Sequence, residues 1–125
     1  MRLGNTISMA QKSLDYLWKK QEVTANNLAN VDTPGYKKKT VSFEDTFRRK
    51  MEAAVSAGDP DQVRQAITES DYRVFSQNSS ARVDENNVNA DVEYTELSRT
   101  ALDYQYMIQS VNSDITRYRS AIKGQ

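Results

Sequence analysis

The feature that most constrains the fold is a pair of apolar stripes, one at each end of the chain, that repeat at alternating intervals of three and four residues. The opening stripe consists of Leu3, Ile7, Ala10, Leu14, Leu17, Gln21, Thr24 and Leu28. The closing stripe consists of Tyr94, Leu97, Ala101, Tyr104, Ile108, Val111, Ile115, Tyr118 and Ile122. This spacing is typical of a coiled-coil seam, in which alternate positions face a partner helix. The sequence therefore predicts two long amphipathic helices.

The composition indicates that these helices pair with each other rather than cover a thick core. Of the 125 residues, 38% are hydrophobic and 27% are charged, which is polar for a compact globule of this length. An amphipathic helix gains most of its stability by packing its apolar face. We therefore predict a mainly α fold in which the long N- and C-terminal helices form an antiparallel, coiled-coil-like unit. Part of each stripe is expected to remain uncovered and available to neighbouring copies.

Local signals predict where each helix begins and ends. Thr33 precedes a proline and is therefore disfavoured in helical geometry, so the first helix should stop near residue 30 or 31. Pro34 and Gly35 suit the two central positions of a type II turn. Asn89 is a good N-cap for the last helix, and Gly124 suits its C-terminal end. These signals divide the chain into an N-terminal helix, a turn with a small insert, and a C-terminal helix at residues 1–31, 32–88 and 89–125.

The insert is expected to contain short elements. Ser42 and Asp45 form the pattern of a capping box. A helical face of apolar residues accompanies it: Phe43, Phe47, Met51 and Ala54. Pro60 suits the first position of another short helix. The segments 72–75 and 81–83 flank a turn-prone run, which favours a small β-hairpin between them.

Several classes of chemistry lack their usual residues. The chain has no cysteine and no histidine, which removes disulfides and the commonest acid–base group and metal ligand near neutral pH. The acidic run from Asp84 fails the calcium-loop pattern, because Val88 and Asn89 stand where a ligand and a glycine are needed. We predict no catalytic residue, no cofactor and no metal. No apolar run approaches the roughly 20 residues of a membrane span, and the N-terminus lacks the apolar core of a cleavable signal peptide.

Charge is balanced overall but unevenly distributed. Residues 1–50 carry ten Lys/Arg against five Asp/Glu, whereas residues 51–125 carry seven against twelve. Opposite-sign halves suit a chain that pairs with itself or its copies, although an incidental imbalance of solvated faces explains them equally well. The clusters 37–39 and 48–50 are basic, as in segments that bind nucleic acid or anionic lipid. The neutral total argues against both, so we predict neither nucleic-acid nor direct lipid binding.

The segment between the first helix and the insert resembles the N-terminal signature of the flagellar rod and hook proteins. The residues that carry this resemblance are Ala25, Asn26, Asn27, Leu28, Ala29, Asn30, Thr33, Pro34, Gly35 and Tyr36. The two seams are also similar to that family's terminal helices. The short length and the run from Asn86 to Asn89 are most like the short proximal rod proteins, in which aspartate is usual at the position of Asn89.

The resemblance implies a structural function in the flagellar basal body. The subunit would pass unfolded through the type III export channel, without a cleavable signal peptide, and polymerise in the periplasmic rod through its terminal helices. Implied partners are copies of itself, other rod subunits, the rod-base adaptor, and the inner-membrane ring or export gate. The alternatives are another short rod protein of the same family, or a non-flagellar coiled-coil interaction or basic-patch binding module.

The candidate site residues are therefore assembly residues. The seam positions expected to carry assembly are Leu3, Ile7, Leu14, Leu17, Leu28, Leu97, Tyr104, Ile108, Val111, Ile115, Tyr118 and Ile122. Trp18 and Tyr106 lie off the seams and are candidates for contacts between subunits, because aromatic residues bury large areas at interfaces. The amides of the signature can either satisfy carbonyls at the end of the first helix or contact a neighbouring subunit.

Overall fold

The computed structural model describes residues 3–43, 47, 49, 52–53, 56–69, 71–79 and 82–124. Its elements, in chain order, are α1 (Leu3–Ala29), β1 (Lys39–Ser42), α2 (Pro60–Glu69), β2 (Arg73–Ser76) and α3 (Ala90–Lys123). The predicted fold class, two long terminal helices around an insert of short elements, is confirmed. Among the described residues, no helix is both long enough and apolar enough to cross a bilayer.

The two long helices run antiparallel against each other. Lys20 forms an ion pair with Glu96 at 3.5 Å, and the ring centroid of Trp18 lies 6.1 Å from that of Tyr104. As the residue number falls along α1, it rises along α3, which defines the antiparallel direction. The predicted pairing of the terminal helices is therefore confirmed.

Both ends of α3 have the caps that the sequence predicts. The Asn89 side chain accepts hydrogen bonds from the backbone N–H groups of Asp91 and Val92 at 3.1 and 3.4 Å. At the other end, Gly124 has a φ of 70° and its N–H donates to the Ser120 carbonyl. These contacts satisfy backbone groups that a helix end leaves without partners.

The chain leaves α1 through the predicted turn. The helix ends at Ala29, close to the expected stop. Gly35 has a φ of 73°, and the N–H of Tyr36 donates to the Thr33 carbonyl at 3.2 Å. A positive φ at the third residue and this hydrogen bond are the features of a type II turn. Glycine adopts that φ without a steric penalty, which explains its presence at this position.

The two strands pair with each other, but not in the predicted arrangement. β1 and β2 form an antiparallel sheet in which Lys39 faces Ser76 and Ser42 faces Arg73. The expected hairpin between 72–75 and 81–83 is therefore wrong in its partner: Val83 lies in a turn with its side chain in solvent. β1 is the better partner because α1 already holds it in place through Asn27 and through apolar contacts. Ala81 lies outside the described residues.

The core is narrow and lies on the side of α1 that faces the insert. One cluster joins α1 to β1 and consists of Tyr16, Leu17, Val23, Val41 and Phe43. The ring of Phe43 stacks on Tyr16 and Phe47 at centroid distances of 5.0 and 5.1 Å. A second cluster on α2 consists of Val63, Ala66 and Ile67 and packs against Met9. Of the capping-box helix, Asp45, Met51 and Ala54 lie outside the described residues.

Candidate assembly surface and the polar junction beside it

Asn27, in the signature, is the centre of a buried polar junction between α1, β1 and α3. Its side chain is 1% exposed. The Oδ1 atom accepts hydrogen bonds from the Lys39 N–H and the Tyr36 hydroxyl, both at 3.0 Å. The Nδ2 atom donates to the Lys39 carbonyl at 2.8 Å and to Glu93 at 3.3 Å. An amide has two donors and two acceptor positions, and all four are used, so Asn27 fixes three elements relative to one another.

Glu93 completes this junction from the first turns of α3. It is 1% exposed, and its carboxylate lies 2.7 Å from the Lys38 ammonium. A buried carboxylate is tolerated only when a partner compensates its charge. Burial, and secondarily the negative charge of Glu93, raises the pKa of the Tyr36 phenol above its ordinary value of 10.0. Tyr36 therefore stays neutral and keeps donating to Asn27 at ordinary pH.

Asn86 fastens the loop before α3 onto the signature turn. It is fully buried, and its Nδ2 atom donates to the carbonyls of Asn30 and Thr33, each at 2.8 Å. Its Oδ1 atom accepts from the N–H of Val88 at 2.8 Å. The N–H of Gly35 donates to the Asp84 carbonyl at 2.7 Å, which adds a second link between the two segments. The start of α3 is thus tied to the end of α1 by polar contacts.

The other signature residues lie at the surface of this junction. Asn30 donates from Nδ2 to the Asn26 carbonyl at 2.8 Å, and the Thr33 hydroxyl donates to Asn30 at 3.2 Å. Asn30 therefore satisfies a carbonyl at the helix end. The exposed signature residues are Ala25, Asn26, Ala29, Thr33, Pro34 and Gly35. Leu28 is half-buried, and a contact of these residues with a neighbouring subunit stays a prediction.

The opening seam is buried or half-buried over most of its length. Its buried positions are Ala10, Leu17 and Thr24, and its half-buried positions are Leu14, Gln21 and Leu28. Ile7 is exposed, and the side chain of Leu3 lies outside the described residues. A second row of α1 residues, which the seam does not include, faces the insert: Asn5, Tyr16, Val23 and Asn27. Because α1 is covered on two sides, its seam is mostly used within the chain.

The closing seam is only partly covered. Its half-buried positions are Leu97, Ala101, Tyr104 and Val111. The most buried positions of α3, Glu93 and Thr100, are polar and lie beside the seam rather than on it. We call the uncovered row the flanking stripe; its members are spaced by seven and are Tyr94, Ala101, Ile108, Ile115 and Ile122. Four of these five are exposed, although all are apolar or aromatic. The stripe is thus an apolar surface that the described part of the chain leaves partly or largely exposed.

The two aromatic residues assigned to intersubunit contacts are also exposed. Trp18 is more than half exposed and lies against Tyr104, while Tyr106 is three-quarters exposed. Tyr106 stands at the edge of a groove of about 420 Å³ between α1, α3 and the two phenylalanines that follow β1. Asp103 is the only charged side chain among the described residues that line this groove. Large exposed apolar surfaces usually mark binding sites for another protein or a membrane.

Sequence reasoning missed two central residues of this site, Asn86 and Glu93. From the sequence, Glu93 is expected only to place a favourable negative charge near the start of a helix. Asn86 is noticed only as part of the run 86–89 that resembles the rod family. Their burial depends on the approach of segments that are about 60 residues apart in the chain, so no local pattern reports it. Within the described part of the chain, no group of three or more acidic side chains could hold a metal ion.

Comparison with known proteins finds similarity along the whole chain. A sequence profile of the family described as Flagella basal body rod protein matches residues 16–37, the second half of α1 and the signature. The chain is 33% identical over 125 residues to the flagellar basal body rod protein FlgB of Bacillus subtilis (strain 168), covering 97% of this chain and 95% of that protein. It is 28% identical over 127 residues to FlgB of Escherichia coli (strain K12), and the match covers 91% of this chain and 90% of that protein. It is 25% identical over 124 residues to FlgB of Aquifex aeolicus (strain VF5), and the match covers 99% of this chain and 98% of that protein.

Proposed function

This chain belongs to the family of flagellar basal-body rod proteins whose members include FlgB, and from that premise we propose that it is built into the rod through the uncovered faces of its terminal helices. It is a structural subunit of the basal-body rod. Residues 1–31 and 89–125 act as rod helices in this proposal, and residues 32–88 act as the connecting insert. In this proposal the subunit works by binding its neighbours, and no residue has a catalytic role.

The observation that carries this proposal is the flanking stripe of α3. Ile108 and Ile115 are each nearly two-fifths exposed, and Ile122 is 83% exposed. A helix that keeps apolar side chains in water at intervals of seven presents a seam to a further helix. Burying that seam against a neighbour would contribute roughly 25 cal/mol for each Å² of apolar surface removed from water.

Three finer points extend the proposal. The subunit reaches the rod unfolded, through the flagellar type III export channel and without a cleavable signal peptide. Its neighbours include other rod subunits, the rod-base adaptor, and the inner-membrane ring or export gate. A fold tied together by polar contacts rather than by a thick core supports the export step, because it would be opened at modest cost.

The test is to delete the gene and complement the cells with wild type or with an Ile108→Asp variant. Ile108 is partly exposed in the single chain, so the new carboxylate reaches water and the fold survives. In the assembled rod the same carboxylate would be buried without a partner, at a cost of several kcal/mol. We expect loss of motility and of rods in electron micrographs of basal bodies, with normal amounts of the variant in the cells.

The matched control is Ser113→Asp, which places the same charge on another face of α3. Ser113 is exposed and lies away from the flanking stripe, so this variant should restore swimming. Deleted cells that still swim with intact rods would refute the structural function itself. Full complementation by Ile108→Asp would instead refute the assignment of the flanking stripe to assembly.

A further inference from the structure

The last turns of α3, residues 115–123, keep their apolar side chains partly or largely exposed in the described part of the structure. α3 has 34 residues and α1 has 27, a difference of about 10 Å at 1.5 Å per residue. Asn27 and Glu93 hold the C-terminal end of α1 beside the N-terminal end of α3, so the excess of seven residues, about 117–123, falls at the C-terminal end of α3. We call residues 115–123 the tail.

The tail has a definite surface. Its apolar side chains, Ile115, Tyr118 and Ile122, are 39%, 38% and 83% exposed. Tyr118 continues the row of Tyr104 and Val111, which are half-buried further up the helix, whereas Ile115 and Ile122 are the last members of the flanking stripe. The tail also carries three basic residues and no acidic residue: Arg117, Arg119 and Lys123. Arg117 pairs with Asp114 of the same helix, so Arg119 and Lys123 are the basic residues offered to a partner. Gly124 caps the helix, so these side chains are presented on a regular helical surface even where α1 is absent.

The groove beside Tyr106 has the complementary surface. Its floor consists of the apolar side chains of Tyr16, Leu17, Phe43, Phe47 and Met107. Asp103, on its α3 wall, supplies a negative charge. Its volume of about 420 Å³ has room for apolar side chains of a helix that lies across it, rather than for the whole helix, which is about 10 Å in diameter. Because α1, α3 and the two phenylalanines enclose it on three sides, it suits an amphipathic helix laid in a groove.

We propose that the tail of one copy docks into the groove of a second copy of this chain. Ile122, Tyr118 and Ile115 enter the apolar floor, and the basic side chains of the tail lie beside Asp103. The inference rests on the proposed function, since it names the contact through which two copies meet. It commits to a second copy because this chain carries both halves of the contact, with opposite charges and matching apolar surfaces.

The positions of the tail and the groove on the same chain determine the kind of assembly that forms. The tail and the groove lie roughly 20 Å apart along α3, at about 1.5 Å per residue, so a chain cannot fill its own groove. After two copies dock, the pair therefore still has one free tail and one free groove. Such a head-to-tail contact is heterologous, and it extends an assembly rather than closing a dimer. Successive copies in the same orientation would be displaced by about 20 Å along the helix axis.

Cysteine cross-linking of the purified full chain tests this contact, because the natural sequence contains no cysteine. Ser13→Cys marks the groove and Ile122→Cys marks the tail. A disulfide needs Cα atoms within about 7 Å, so the two positions of one chain cannot be joined. We expect a mixture of the two single variants to form a covalent dimer under mild oxidation, and the doubly substituted chain to form a ladder of multimers.

Two controls decide between this contact and random collision. Each single variant alone should form little covalent dimer, and Ser13→Cys mixed with Ser98→Cys, an exposed position far from the tail, should give at least tenfold less covalent dimer. Equal yields in the two mixtures would overturn the proposal, as would a closed dimer from the doubly substituted chain. Wild type that stays monomeric at every concentration in sedimentation experiments would also overturn it. None of these outcomes depends on whether cells lacking the gene still form rods.

Discussion

The carboxylate of Glu93 and the ammonium group of Lys38 lie 2.7 Å apart, and Glu93 is almost fully buried. Lys38 follows the signature turn and Glu93 stands in the first turns of α3, so the pair joins the two halves of the molecule. With Asn27 it forms a polar junction at the end where α1 and α3 are level. This end of the helix pair is therefore held by specific contacts, whereas the tail at the other end is partly or largely exposed in the described structure.

Removal of Lys38 should be costly because it leaves the Glu93 carboxylate buried without its counter-charge. We expect Lys38→Met to lower the free energy of unfolding by roughly 3 kcal/mol. Combining it with Glu93→Gln should recover at least half of that loss, since no buried charge remains. Urea unfolding followed by circular dichroism measures both values. A double variant no more stable than Lys38→Met would contradict the explanation by buried charge.

Alanine substitutions at the two neighbouring asparagines of the signature, Asn26 and Asn27, should differ sharply in how much stability they remove. Asn27→Ala removes four hydrogen bonds and leaves the backbone of Lys39 and the hydroxyl of Tyr36 without partners, at an expected cost of about 3 kcal/mol. Asn26 is exposed, so Asn26→Ala should change stability by less than about 0.5 kcal/mol. The same unfolding measurement compares them, and similar losses for both variants would argue against the central position of Asn27.

Ionisation of Tyr36 should make the stability of the fold depend on pH in the alkaline range. Its pKa is raised in the folded chain, first by burial and then by Glu93. The resulting stabilisation is complete below the ordinary pKa of 10.0 and is lost as pH rises through the raised value. Tyr36→Phe loses the hydrogen bond to Asn27, about 1 kcal/mol at neutral pH, but it has no phenol to ionise. The stability gap between wild type and Tyr36→Phe should therefore stay constant up to about pH 9 and shrink as the pH rises above 10.0.

The control for this titration is Tyr94→Phe, because Tyr94 is exposed on the flanking stripe. Its stability should run parallel to that of the wild type over the same pH range. A gap between wild type and Tyr36→Phe that stays constant up to pH 11 would mean that Tyr36 does not ionise differently in the folded and unfolded states.

Asn89 should act through its cap alone. Asn89→Ala loses the hydrogen bonds to the N–H groups of Asp91 and Val92, and we expect a loss of about 1 kcal/mol. Asn89→Asp keeps the acceptor and adds a negative charge at the positive end of the helix dipole, so it should be at least as stable as the wild type. Thermal unfolding at pH 7 and low salt separates the three proteins. An aspartate variant as unstable as the alanine variant would contradict the capping explanation.

The parts of the fold that were predicted correctly depend on neighbours in the sequence. A seam repeats along one helix, Pro34 and Gly35 specify their own turn, and Asn89 caps the helix that it precedes. The strand partner was predicted wrongly because pairing is not a local property. Val83 follows a turn-prone run close to β2, yet β2 pairs with β1, which lies some 30 residues earlier and is already held against α1.

By itself, the sequence determined two long helices, the caps of α3, the turn between α1 and the insert, and membership of the rod family. These follow from interactions within a few residues, or from a motif that is read directly. Only the tertiary structure decided that Glu93 and Asn86 are buried, that the flanking stripe and the tail are uncovered, and that a groove opens beside Tyr106. A side chain becomes buried or exposed through the segments that pack around it, and those segments are distant in the sequence.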